Sequence, residues 1–165
     1  MKKLFSYCLL SWLNLIFCQS LAADEIFIVV AADSTIISLN KRQLEHIYSR
    51  KTQINKQGKR WVPINLDISN PLRIAFTEKL FKQRPENMEA FWNIQYFKGI
   101  SPPYVVSSEE AVLRFVVSTP GSIGYINACH FDSRVRVVMK LTYKDTSNTC
   151  YPKQNGNHST QKPLL

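Results

Sequence analysis

The chain has 165 residues, 45% of them hydrophobic and 20% charged, and a formal charge of +9 at pH 7. That length suits one domain around one core and is too short for two lobes. The positive charge is scattered, as in Lys41-Arg42, Arg50-Lys51 and Arg134/Arg136, with no dense basic tract and no nucleic-acid motif. This argues against nucleic acid and leaves small anions, acidic lipid or acidic proteins as partners.

The first 22 residues read as a signal peptide. Lys2 and Lys3 form a positive start, residues 4–17 are mostly apolar with Asn14 interrupting them, and Ser20-Leu21-Ala22 offers the small residues that precede cleavage. The run is too short and too interrupted for a good membrane span. A lipid-anchored start is disfavoured because Cys18 follows the bulky Phe17. Cleavage after Ala22 would leave 19 basic and 12 acidic side chains, a charge of +7, no transmembrane segment, and a periplasmic or secreted location. Cys8 and Cys18 would leave with the peptide. Cys129 and Cys150 would remain, an even pair in an exported chain, and read as a disulfide. Closing that loop is worth about 3 kcal/mol in the chain-entropy model. The rival reading, Cys129 as a nucleophile beside His130 as base, shows no orienting third group in the sequence.

Residues 26–31 (IFIVVA) read as a buried strand. Asn40, Gln43 and the Leu39/Leu44 pair predict a capped and stapled helix over residues 41–48. Residues 49–60 are polar and read as an exposed loop. Residues 61–67 (WVPINLD) read as a strand, with Pro63 confining it to an edge or a strand start. Ser69-Asn70-Pro71 opens a helix in which Leu72, Ala75, Phe76 and Leu80 fall at helical spacing. After Arg84-Pro85-Glu86 a further helix carries Met88, Phe91, Trp92 and Tyr96 on its apolar face, and residues 97–103 (FKGISPP) break it. Ser107-Ser108-Glu109-Glu110 predicts a capping box, serine at the cap and glutamate three residues on, for a helix that buries Val112, Phe115 and Val116.

That helix runs into TPGSIGYI. Thr119-Pro120-Gly121-Ser122 suits a type II turn with Gly121 at positive φ, and Gly124 clears space where another element must come close. Residues 123–126 and 134–139 read as strands, and residues 142–165 as a polar tail after a domain over 23–141. Alternating strands and helices make the class α/β, with a small mixed or mostly parallel sheet and helices on both faces.

Signatures of catalysis are absent: no nucleotide-binding glycine pattern, no metal-spaced histidine pair and no glycine-flanked serine elbow. His46, His130 and His158 are far apart in sequence, and Glu109-Glu110 suits the positive end of a helix dipole. The expectation is a protein without enzymatic activity, cofactor or metal. The better candidate is an anion site at SNPLR, where a helix starts after a strand. Its first N–H groups lack helical partners, Ser69 and Asn70 can add donors, and Arg73 lies one turn in. The alternative is that these residues only cap the helix.

The order of IFIVV, SLNKRQLEHIYSRK, GKRWVPINLD, SNPLRIAF, FWNIQYFKGISPP, SSEEAVLRFV and TPGSIGYI resembles short exported relatives of the phosphate transporter's periplasmic substrate-binding protein. The likeness covers about residues 26–139. It implies one lobe of a periplasmic-binding-protein fold, a three-layer sandwich, where full-length relatives hold phosphate between two lobes. It also implies a Ser-Gly-Thr helix start preceded by an arginine. Here Ser69 matches the serine, Asn70 and Pro71 replace the glycine and threonine, and no arginine lies just before Ser69. The implied partners are phosphate or another small oxyanion, and an envelope or transporter protein or a second copy of the chain. The alternative is an envelope accessory protein that keeps the fold and has lost the ligand, with Tyr96, Phe97 and Tyr104 around a Pro-Pro segment as its docking surface.

Overall fold

The computed structural model describes residues 24–143. The expected signal peptide, most of the tail, Cys150 and His158 lie outside the described residues. Five strands form one sheet: β1 (Asp24–Ala31), β2 (Val62–Leu66), β3 (Tyr104–Val106), β4 (Ser122–Asn127) and β5 (Val135–Tyr143). Four helices connect them: α1 (Lys41–Tyr48), α2 (Pro71–Phe81), α3 (Glu89–Phe97) and α4 (Glu109–Ser118). The strand order is β3-β2-β4-β1-β5. Strand β2 is parallel to β3 and β4, whereas β1 is antiparallel to both β4 and β5. Four strands therefore share one direction and β1 opposes them, which is the mixed, mostly parallel sheet of an α/β domain. Among the described residues no helix is long and apolar enough to cross a membrane.

Every residue of β4 is buried, so both faces of the sheet are covered at its centre. The pleat sorts the two covers. On one face Gly124 lies under α4: a Cβ built there would stand 2.4 Å from Val112 Cγ1 and 3.3 Å from Val116 Cγ2. On the other face Tyr125 stacks on Phe76 of α2 with ring centroids 3.9 Å apart, and Tyr48 of α1 meets Phe76 edge-on at 4.7 Å. Helices α1 and α2 thus cover one face and α4 the other, three layers in all. The turn into β4 closes with Ser122 N–H donating to Thr119 O at 3.2 Å and Gly121 at φ +81.

Local chemistry explains most element boundaries. Asn40 Oδ1 accepts from Gln43 N–H at 2.9 Å while Gln43 Oε1 accepts from Asn40 N–H at 2.8 Å, the expected capping box of α1. Register slips in the β1–β5 pairing between Ile28 and Val29, so that Val138 is skipped. The carbonyl of Val138 instead accepts Leu39 N–H at 3.0 Å and ties the entry of α1 to the sheet.

Three expectations change, for the cap of α4, for α3 and for the tail, and β3 was not expected. Pro63 keeps the strand-start place expected for it, as the second residue of β2, which lies between β3 and β4 and is not an edge. Its missing N–H is tolerated because pairing with β3 begins only at Ile64. Ser108, not Ser107, caps α4 by accepting Ala111 N–H at 3.1 Å, and Glu110 turns to arginines instead of closing a capping box. Helix α3 buries none of its residues: Tyr96 is 72% exposed and Phe97 90%, and only Met88 just before the helix reaches the core. Strand β3 is three residues long, too short to leave a readable period. Strand β5 takes in Thr142 and the buried Tyr143, two residues expected in the tail.

Strands β2 and β4 pair at only Val62↔Ser122 and Pro63↔Ile123. Beyond that point two buried tyrosines bridge them. The Tyr48 hydroxyl lies 3.1 Å from Ile64 O and 3.3 Å from Ile123 O and donates to them. The Tyr125 hydroxyl accepts Leu66 N–H at 3.1 Å and donates to Asn65 Oδ1 at 3.4 Å. Tyr48→Phe should therefore leave buried carbonyls without their donor and destabilise the fold by about 1–3 kcal/mol in urea unfolding. Burial pushes both phenols upward from their ordinary value of 10.0. Their contribution is complete below that value and lost as pH rises toward the folded-state values, so wild type should lose stability above about pH 10 more steeply than Tyr48→Phe. Equal alkaline slopes would contradict the role given to Tyr48.

Candidate functional site at the carboxyl ends of the parallel strands

Strands β2, β3 and β4 end on the same side of the sheet, and helices begin there. Such an edge collects unsatisfied N–H groups and positive dipole ends. After Leu66 the chain turns through Asp67, Ile68 and Ser69 into α2. Asp67 Oδ1 accepts from Ser69 N–H at 2.9 Å and from the Ser69 hydroxyl at 2.7 Å. These bonds, with a smaller contribution from the charge of Arg73, hold the Asp67 carboxyl below its ordinary pKa. Asn70 N–H donates to Asp67 O at 3.0 Å, and Asn70 Oδ1 accepts Leu72 N–H at 2.9 Å. Pro71 at the first helical position has no N–H to offer.

The structure therefore brings Ser69 and Asn70 together at one helix start, but each is engaged within the chain. Arg73 points inward. Its Nη1 donates to Leu66 O at 3.2 Å, and its Nε is buried without an acceptor among the described residues. Its charge lies close enough to Tyr125 to oppose the upward push of burial on that phenol. The edge thus presents an exposed carboxylate on two Ser69 donors, with a half-buried guanidinium one turn below. A phosphate oxygen arriving here meets donors already held by Asp67. A hydrogen phosphate can keep Asp67 as an ally by donating its proton to the carboxylate.

A second cluster borders the first. Glu109, in the first turn of α4, accepts Asn127 N–H at 2.5 Å, and its Oε2 lies 2.9 Å from His130 Nδ1. Asn127 Nδ2 donates to the Tyr143 hydroxyl at 3.1 Å. Glu110 accepts from Arg134 at 2.8 Å and from Arg114 at 2.9 Å, which together hold its carboxyl down at about 2. Sequence reasoning assigned this acidic pair to the helix dipole and missed the long-range partners. No local signal encodes them, since His130 and Arg134 reach α4 only once β4 and the turn after it are in place. The proposed partner of Cys129, Cys150, lies outside the described residues. Among the described residues no group of three His, Cys, Asp or Glu side chains could hold a metal ion.

No family model and no curated protein matches the chain. Solved structures do. A protein assigned as a phosphate ABC transporter substrate-binding protein, with bound phosphate, from Clostridium perfringens superposes with a TM-score of 0.59 at 19% identity, over 72% of this chain and 45% of that one. An ABC-type phosphate transport receptor from Vibrio cholerae gives 0.59 at 20% identity, over 72% and 46%. PstS from Borrelia burgdorferi gives 0.50 at 22% identity, over 65% and 42%. The chain spans less than half the length of these proteins, and at such identities the likeness is one of fold. It has the single-lobe architecture that the order of motifs implied.

The hold of Ser69 on Asp67 can be read directly. In a carboxyl-carbon NMR titration Asp67 should titrate below its ordinary 3.8, and Ser69→Ala should move it back up. An unmoved Asp67 would remove Ser69 from the account of this edge.

Proposed function

We propose that the chain is an exported, non-enzymatic binding protein that offers half of a site for phosphate or a related oxyanion at the start of α2, completed by a second surface. The observation that carries this reading is the convergence of the Ser69 amide and hydroxyl on one exposed anionic oxygen, 2.9 and 2.7 Å away. Asp67 Oδ1 stands where an oxyanion oxygen would be held, and hydrogen phosphate would share these donors while giving its proton to Asp67. Arg73 supplies the nearby positive charge. Neighbours of the same fold, one of them with bound phosphate, support the ligand class. The second surface would come from a transporter or other envelope protein, or from a second copy of the chain. In this reading the first 22 residues are removed on export to the periplasm, and Cys129 and Cys150 form a disulfide there.

A second reading is favoured by the engagement of Ser69, by Pro71 and by the exposed apolar side chains of Ile94, Tyr96 and Phe97. In it the chain is an envelope accessory protein that retains the fold without the ligand. Calorimetry on the oxidised, processed chain separates the two. Phosphate should give a saturable heat in the millimolar range or below, and Ser69→Ala or Arg73→Ala should each weaken binding by about tenfold, the worth of one charge-assisted hydrogen bond. No heat from folded protein, together with a stable partner retained in pull-downs from the periplasm, would establish the second reading instead.

A further inference from the structure

At the opposite end of the sheet, where the parallel strands begin, lies a separate cleft of about 410 Å³. Arg50 and Arg60 enter it from the α1–β2 connection. Pro103, Tyr104 and Phe115 give it apolar and aromatic walls, with Tyr104 and Phe115 ring centroids 5.9 Å apart, and the buried Trp61 is among its lining. Its size falls within the range of small-molecule sites.

Among the described residues neither Arg50 nor Arg60 has a carboxylate within ion-pair distance. Arg50 Nη1 donates to Trp61 O at 3.0 Å, while its Nε is buried with no acceptor. Partial burial and the charge of Arg60 both push the Arg50 guanidinium below its ordinary pKa, so two cations are held near one another at a cost.

The backbone pins them there. Arg50 sits at φ 61, a left-handed conformation that a long side chain seldom adopts, immediately after the cap of α1. The backbone of Arg60 packs on the turn before β4, its carbonyl standing 2.2 Å from where a Cβ at Gly121 would be, while its side chain is exposed at the rim. Strain, an orphaned buried donor and an unpaired second arginine thus converge on one aromatic-walled cleft.

We propose that this cleft is a binding site for an organic anion, a carboxylate carried on an aromatic or similarly flat apolar body. The guanidinium edges of Arg50 and Arg60 would take the carboxylate, and Tyr104 and Phe115 would cover the ring, close to the buried Trp61. The site is distinct from the α2 start, which lies across the sheet and has no such walls.

The test uses naphthoate as probe on the whole processed chain, followed by calorimetry and by NMR of the Trp61 indole N–H. Naphthoate should bind saturably and shift that resonance, and uncharged naphthalene methanol should not. Arg50→Gly, which removes the guanidinium and relieves the left-handed backbone, and Arg60→Gln at the exposed rim should each weaken binding by about tenfold or more. Circular dichroism checks that Arg50→Gly is folded, and Arg60→Gln decides the matter if it is not. Inorganic phosphate should not displace naphthoate, so failure of phosphate to bind at α2 would leave this result standing. Equal binding of the uncharged analogue, displacement by phosphate, or indifference to Arg60→Gln would overturn the proposal.

Discussion

Two buried phenols hold the structure at its weakest seam. Strands β2 and β4 are neighbours but share only two register pairs, and below these their backbones part. A gap beside the fully buried central strand β4 would strand buried carbonyls and amides, each expensive to leave unpaired. Tyr48 comes from α1 and Tyr125 from β4 itself, and their hydroxyls meet the carbonyls of Ile64 and Ile123 and the amide of Leu66. Phe76 of α2, packed against both rings, locks them in place. One aromatic cluster therefore joins two strands and two helices, and it does so with polar tips inside an apolar layer.

The candidate binding edge inherits its position from that seam. Leu66, the residue that Tyr125 anchors through its amide, also takes Arg73 on its carbonyl. The next residue is Asp67, which organises Ser69 and Asn70. The path from the core to the exposed carboxylate is thus only two residues long. On the far side of the seam Asn127, at the end of β4, is held by Glu109 and so fixes the start of α4. At the other end of the strands the same sheet positions Arg50, Trp61 and Arg60, so that a chain of one lobe carries two chemically different edges.

Much of this was legible in the sequence for local reasons. The Asn40/Gln43 box, the Asn70-Pro71 start and the Pro120-Gly121 turn are each specified by residues within four positions, and each forms at the expected place. The order of motifs was enough to imply the fold. What failed was non-local. Helix α3 has a core-like pattern of Phe91, Trp92 and Tyr96, yet it buries none of these fully: Phe91 and Trp92 are half-buried and Tyr96 is exposed. The pattern measures amphipathicity and says nothing of what is available to cover it. The engagement of Ser69 by Asp67 was not read from the sequence, although at two residues' distance an aspartate is well placed to close a turn. Arg50, in the exposed polar loop, gave no sign of its conformation, since its φ is set by the end of α1 and by Trp61 O rather than by its own propensity.

Tyr125 is the pin between the core and the binding edge, and amide hydrogen exchange in Tyr125→Phe tests that role. In wild type the Leu66 amide should exchange only with global unfolding, as should that of Ile28 in β1. In the variant Leu66 should exchange through local opening, many-fold faster than Ile28, because its N–H has lost its acceptor while the β1 pairings remain. Leu66 and Ile28 accelerating by the same factor would contradict the claim and would make Tyr125 a packing residue only.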